Sequence, residues 1–367
     1  MSHARILTEI KIAGFRSLRK PESVRLNGGL NALIGANGAG KSNFIDFFRM
    51  LGHMVDSNLG LRNYVAERGR ADAFLFRGVQ TTQEFSASLS FDFNKYKYAF
   101  TLKASDDGAL FFAKETVEFD GLCEREVLNF GSGHLESKLL QLTPPVSAEL
   151  WTLDTLRDWR VYHFHNTSRK AAMMRAVNVV DNDRFRSDAG NIAPFLLRMR
   201  DENRDYYDRI VSHIRQAAPY FGDFELKPDR NNQVTLLWKE RYGEKIYYPS
   251  QLSDGSIRFI CLATLLLQPK PPATIIIDEP ELGLHPYAIT VLAGMFQLAA
   301  EKCQLIVSTQ SSPLVDHLDI GDLIVVDRKE GETVLSRPDE AELAGWLERY
   351  SLGELWDKNI LGGRPRP

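Results

Sequence analysis

Hydrophobic positions along this chain change period several times, and each change marks a different kind of element. Ile6 to Ile12 and Ser23-Val24-Arg25-Leu26 read as short strands, and Leu30-Asn31-Ala32-Leu33-Ile34 as a buried one. Asn43 to Leu51 then takes helical spacing. After a mixed stretch to about Gln83 the period becomes two. Phe85, Ala87, Leu89, Phe91 and Phe93 share one face, and Tyr96, Tyr98, Phe100 and Leu102 follow. The turn Asp106-Asp107-Gly108 and the run Leu110 to Phe119 complete an antiparallel meander.

Residues 131–147 read as loop, with Gly131-Ser132-Gly133 and Pro144-Pro145, and a helix over 148–159 leads to a strand over 160–164. The stretch 166–190 is polar and basic, carrying Arg169, Lys170, Arg175, Arg184 and Arg186; runs of this kind usually form a solvated face, the alternative being a DNA-facing loop. Helices are expected over 191–201 and 203–217, and a hairpin turning at Asp229–Asn232 between Phe224 and Tyr248. From Ser253 onward, helix alternates with the strands Thr274–Ile277, Gln304–Val307 and Leu323–Val326, which predicts a parallel sheet. The tail 337–367 holds one helix, Asp339–Tyr350.

Between the strand at 30–34 and the helix after it lies Gly35-Ala36-Asn37-Gly38-Ala39-Gly40-Lys41-Ser42, a complete G-x-x-x-x-G-K-[ST] phosphate loop in the context it requires. Glycines let the backbone wrap phosphates with its N–H groups pointing inward, and the helix N-terminus adds potential favourable to anions. Lys41 is placed to reach the β- and γ-phosphates of a nucleoside triphosphate, and the Ser42 hydroxyl to ligate Mg2+. A second motif, Thr274-Ile275-Ile276-Ile277-Asp278-Glu279, ends a buried strand in acids. Asp278 fits the magnesium-holding acid of such sites, and Glu279 is placed as general base for the attacking water. Lys41 and Asp278 lie far apart in the sequence, so a lobe is inserted between the two halves of the core. Gln251-Leu252-Ser253-Asp254-Gly255-Ser256 opens an apolar helix for which Ser253 is a good N-cap.

Composition narrows the class without choosing the function. Of 367 residues, 44% are hydrophobic and 25% charged, the make-up of a water-soluble globular chain, and the net charge of −3 supplies no global basic field for nucleic acid. Cys123, Cys261 and Cys303 are scattered, with no C-x-x-C pair and no disulfide framework. The start, Met1 to Arg5, carries no apolar signal region, and no apolar run approaches the length of a membrane span. A cytoplasmic location without membrane contact is expected.

Together these motifs resemble the ABC-type ATPase heads of the RecF, SMC and OLD group, in particular its short stand-alone ATPases. The opening Ile10 to Leu18 looks like the N-terminal strand and turn of that group, Leu252-Ser253-Asp254-Gly255 like a variant signature motif, and Asp278 to Pro286 like its Walker B and D-loop. The resemblance implies a P-loop ABC-ATPase head of α/β class, with a parallel sheet plus antiparallel meander and an inserted mixed α/β lobe. It divides the chain into 1–145 and 249–336 as halves of the head, 146–248 as the lobe, and 337–367 as a C-terminal helix and tail. It implies ATP and Mg2+ as cofactors, with Asn37, Gly38, Ala39, Gly40, Lys41, Ser42 and Asn43 around the nucleotide and Arg16 and Ser17 beside it. Ser42, Asp278 and a glutamine before the meander, Gln83 or Gln80, would serve the metal. Ser253 and Gly255 would contact the γ-phosphate held by a second subunit, so that a homodimer shares two ATP sites. Where many such heads carry a switch histidine, this chain has Gln310, which can bond a γ-phosphate oxygen but cannot become charged.

The expected activity is ATP hydrolysis used as a conformational switch, in bacterial DNA maintenance or anti-phage defence, beside a separate effector nuclease. The rival readings are a RecF-like clamp that binds DNA directly and, further off, a transporter's ATPase subunit.

Overall fold

The computed structural model describes residues 6–56, 60–120, 124–141 and 147–363. Met1–Arg5, Cys123 and Pro144-Pro145 lie outside the described residues. The chain runs through β1 (Leu7–Ala13), β2 (Glu22–Arg25), β3 (Leu30–Ile34), α1 (Lys41–Met54) and α2 (Leu61–Glu67), then β4 (Glu84–Phe91), β5 (Tyr96–Ala104), β6 (Leu110–Asp120) and β7 (Arg125–Asn129). Next come α3 (Ser147–Asp158), β8 (Arg160–Tyr162), β9 (Val177–Asn178), α4 (Ile192–Glu202), α5 (Arg204–Ala217), β10 (Phe221–Glu225), β11 (Gln233–Val234), β12 (Leu237–Glu240) and β13 (Ile246–Tyr247). The remainder is α6 (Asp254–Leu266), β14 (Thr274–Asp278), α7 (Pro286–Ala300), β15 (Gln304–Thr309), α8 (Ser312–Val315), β16 (Leu323–Lys329), β17 (Glu332–Ser336), α9 (Glu340–Leu347) and α10 (Leu352–Asp357).

Two six-stranded sheets carry the architecture, an antiparallel one ordered β2-β1-β4-β5-β6-β7 and a mostly parallel one ordered β17-β16-β3-β15-β14-β8. The parallel sheet is buried on both faces, which explains why its strands are continuously apolar. Alternation then sorts their side chains. Leu33, Ile276, Ile306 and Ile324 face α1 and the phenylalanines of the antiparallel sheet. Ala32, Ile34, Ile275, Ile277, Leu305 and Val307 face α6 and α7. A one-residue slip of β3 would exchange the two sets. Phe15, Phe47, Phe85 and Phe100 fill the first core with edge-on and tilted ring contacts (Phe15–Phe47 5.5 Å, Phe15–Phe85 5.2 Å between centroids).

The α/β class with a parallel sheet and an antiparallel meander is therefore as the periodicities predict. The hairpin expected around Asp229–Asn232 forms differently. β10 pairs with β12 and β12 with β13, while β11 leaves that sheet to pair with β9 through Val234 and Val177. Val234 and Leu236 are fully buried, and the apolar core claims them ahead of a local hairpin ladder. β8, far upstream in the chain, forms the edge of the main sheet beside β14. Among the described residues no helix is long and apolar enough to cross a membrane.

Candidate nucleotide site

Gly35 to Ser42 connects the end of β3 to the first turn of α1. Gly40 takes φ 117°, and a Cβ there would collide with the Thr333 hydroxyl, so only glycine fits. α1 has no side-chain cap and no acid in its first turn, which leaves its leading N–H groups for an anion. Asn37, Gly38 and Ser42 are exposed, whereas Lys41 is buried and folds back so that Nζ donates to the carbonyls of Gly35 (2.6 Å) and Ala36 (3.2 Å). Burial pushes the Lys41 ammonium below its ordinary value, and Glu279, Asp278 and Glu281 pull it back up. The chain thus concentrates its acids around the one cation of the phosphate loop.

Those acids are held from β14 and β15. Asp278 ends β14 and accepts from the Ser308 hydroxyl, while the Glu279 N–H donates to Ser308 O at 3.0 Å. Glu279 sits at φ 46°, an unfavourable backbone for a side chain with a Cβ, fixed by that pairing. Gln310 donates from Nε2 to Glu279 Oε1 at 3.1 Å. Behind them, buried Glu281 accepts from Thr309 Oγ1 (2.6 Å) and from the Gln310 N–H (3.2 Å), leaving its Oε2 without a partner. Burial raises the Glu281 carboxyl above the usual carboxylate range.

A charge relay ties the two halves together. Arg16, at φ 48°, reaches Asp46 at 2.5 Å and Asn43 Oδ1 at 3.4 Å. Asp46 also bonds Arg49, whose other nitrogen lies 3.9 Å from Asp278 Oδ2. Ser17 accepts from Asn43 Nδ2 at 2.6 Å and contacts the Thr333 hydroxyl at 2.7 Å. That hydroxyl lies equally close to the Ala39 carbonyl, 2.7 Å away across 294 positions of sequence, and so pins the loop to β17. The structure thus gathers Arg16, Ser17 and Asn43 beside the phosphate loop, and Asp278, Glu279 and Gln310 beside one another.

Four participants escape a reading of the sequence: Asp46, Arg49, Glu281 and Thr333. The first two carried a usable signal, since they fall on the helical stripe of Ser42 at i+4 and i+7. Gln80 and Gln83 stay exposed before β4, and the side chain of neither bonds the phosphate loop. Ser253 and Gly255 also stand apart. Ser253 caps α6 by accepting from the Ser256 N–H (3.1 Å), its hydroxyl lies 2.8 Å from that of Ser256, and Ser256 meets the Tyr220 hydroxyl at 2.8 Å. Gly255 lies so close to the Gly283 carbonyl that a Cβ would overlap it, which presses the start of α6 onto the turn after Asp278.

The arrangement fits ATP and Mg2+. A buried lysine, uncapped helix amides and an exposed serine hydroxyl suit phosphates. Magnesium, which is commonly held by one or two carboxylates together with substrate phosphates, suits Asp278. Among the described residues no three His, Cys, Asp or Glu side chains make a metal cage of their own.

Solved structures share the fold. One is an SMC head bound to the C-terminal winged-helix domain of ScpA, 14% identical, covering 92% of this chain and 99% of that one with a TM-score of 0.60. Another is the Smc head with an extended coiled coil bound to the C-terminal domain of ScpA, derived from Pyrococcus furiosus, 13% identical, covering 94% and 99% with a TM-score of 0.58. Their likeness establishes the P-loop ABC-ATPase head as the fold. No curated protein matches the sequence. Residues 30–316 match the family described as "AAA domain, putative AbiEii toxin, Type IV TA system", and the chain belongs to that family of ATPases.

Proposed function

We propose that this protein is an Mg2+-dependent ATPase whose nucleotide state opens and closes a pair of heads. Lys41 and the α1 amides would hold the phosphates, Ser42 and Asp278 the metal, with Arg16, Ser17 and Asn37 to Asn43 around the nucleotide. Bound magnesium would neutralise phosphate charge as the γ-phosphate leaves. Glu279, aimed by Gln310, would take the proton of the attacking water. An uncharged Gln310 stabilises developing negative charge less than a histidinium would, so the reading favours slow turnover and long ATP occupancy.

The observation that carries the dimer is that, among the described residues, the Ser253 hydroxyl bonds Ser256 and no group of the phosphate loop. Its hydroxyl is exposed, and a group suited to the γ-phosphate can therefore serve a second copy. Closure would then place two ATP molecules between two chains. The family's description, "AAA domain, putative AbiEii toxin, Type IV TA system", supports a defence role, and the effector of this reading is a separate nuclease. Retention on DNA only with ATP would favour the RecF-like clamp instead.

The test uses Glu279→Gln, which keeps phosphate and metal contacts while removing the base. With ATP and magnesium it should sediment as a dimer or larger even-numbered assembly. Adding Ser253→Arg should abolish this nucleotide-dependent closure. Dimerisation indifferent to both ATP and Ser253 would reject the shared site.

A further inference from the structure

Along the C-terminal half of α1 a hollow of about 820 Å³ opens toward the end of α2, α3 and the segment around β8, joined to the nucleotide site through Arg49. Five arginines from separate elements line it: Arg49, Arg68, Arg157, Arg160 and Arg184. Arg49 is engaged by Asp46 and Asp278. Among the described residues the other four make no ion pair. Arg157 donates to the Val55 carbonyl at 3.3 Å, Arg160 to the Trp159 carbonyl at 2.8 Å, and Arg68 lies over the Tyr64 ring at 4.8 Å. These partners orient the guanidinium groups without neutralising them. His53 and His163 also line the wall, and Asp56 is the acid among the lining residues.

Converging unpaired cations repel one another, and folding tolerates the arrangement where an anion offsets it. The volume falls within the range of about 300–1,000 Å³ usual for small-ligand sites. The basic stretch singled out in the sequence does not extend the charge into a long face. Arg186 pairs with Asp181 and Asp188, and Arg175 bonds its own loop at the Lys170 carbonyl, so Arg184 alone of that stretch's arginines lines the hollow. Arg160 and Arg184 also line a neighbouring hollow with Asp158, Asp183 and Glu202, and charge gathered around so short a stretch of surface suits a compact ligand, whereas a nucleic-acid strand needs cations spaced along its backbone.

We infer that this hollow is a second, separate anion site that takes a small molecule carrying several phosphates. Arginine forks suit it because each can give two parallel N–H bonds to phosphate oxygens.

Calorimetric titration of the full chain with inorganic tripolyphosphate tests the assignment. Lys41→Ala disables the phosphate loop, so heat remaining in that variant reports the hollow alone. One tripolyphosphate should bind per chain there. Adding Arg184→Gln, an exposed residue whose loss spares the fold, should weaken that binding about tenfold, and Arg157→Gln about as much. Circular dichroism confirms that each variant is folded. The inference is overturned if Lys41→Ala binds no tripolyphosphate, if neither arginine substitution weakens it, or if a single-stranded oligonucleotide binds the hollow and tripolyphosphate fails to displace it.

Discussion

The phosphate-loop region and the Ser253 region are both polar, both built at helix N-termini, and they are finished in opposite ways. Around the phosphate loop, buried or partly buried bonds tie separate elements together: Thr333 of β17 to Ala39, and Arg16 to Asp46 of α1. Around Ser253 the bonds are exposed, to Ser256 and on to Tyr220, and Tyr220, Tyr248, Leu282 and Tyr287 remain open to solvent. One region is organised before any ligand arrives. The other ends in hydroxyls and apolar surface that the described residues leave uncovered, which is what the proposed second copy would have to cover.

The widest difference between the two should appear in nucleotide affinity. Lys41→Ala removes the buried cation of the finished region and should weaken ATP binding about 100-fold, measured by titration with a fluorescent analogue. Ser253→Ala should leave the affinity of a monomer unchanged. Equal losses in the two variants would mean that the regions are not distinct.

Stability draws the same line more finely. Thr333→Val keeps the shape but strips the Ala39 carbonyl and Ser17 hydroxyl of a buried partner, and should cost about 1–3 kcal/mol in urea unfolding. Ser256→Ala, which loses only contacts at the exposed end of α6, should stay within about 0.5 kcal/mol of wild type. A larger loss in the second variant would show that the Ser253 region is as internally fixed as the other.

The smallest effect concerns Glu281. Its folded carboxyl titrates above the unfolded value, because burial outweighs the bonds from Thr309 and Gln310. A raised carboxyl pKa means that the folded state binds the proton more tightly, so the charge costs stability above the folded pKa and nothing below the unfolded one. Glu281→Gln should therefore be the more stable protein at pH 8, by about 1 kcal/mol or less, with the gap closing as pH falls toward the unfolded value. A gap independent of pH would place the effect in packing instead of charge.

What could be read from the chain was what is local. The phosphate loop, the acids closing Thr274–Asp278 and the period-two meander each lie within one short window, where spacing alone fixes geometry. Asp46 and Arg49 were legible in principle from their place on the Ser42 stripe. Thr333 was not, because its meaning comes from a carbonyl 294 positions earlier. Nor was the pairing of β11 with β9, since a two-residue strand carries too little pattern to name its partner. The basic hollow is the extreme case, assembled from arginines of α1, α3, β8, the end of α2 and a loop, which no window contains together.

β3 lies between β15 and β16, and its Asn31 side chain bonds the Leu305 carbonyl 274 positions ahead. Both neighbours of this strand are thus made long after it. At about 5–20 residues per second, a nascent chain carries Leu30–Ile34 with neither edge paired for roughly 15–55 s. During that interval an apolar strand with two open edges is exposed to pairing with other chains. The antiparallel sheet is composed of β1, β2 and β4–β7, all near the N-terminus, and can close on itself early. It offers α1 a surface on which to wait, its Phe44, Phe47 and Phe48 covered, while the rest of the head is synthesised. The meander beside the nucleotide site thereby doubles as a scaffold in time, sheltering the ATP-binding half until its missing strands emerge.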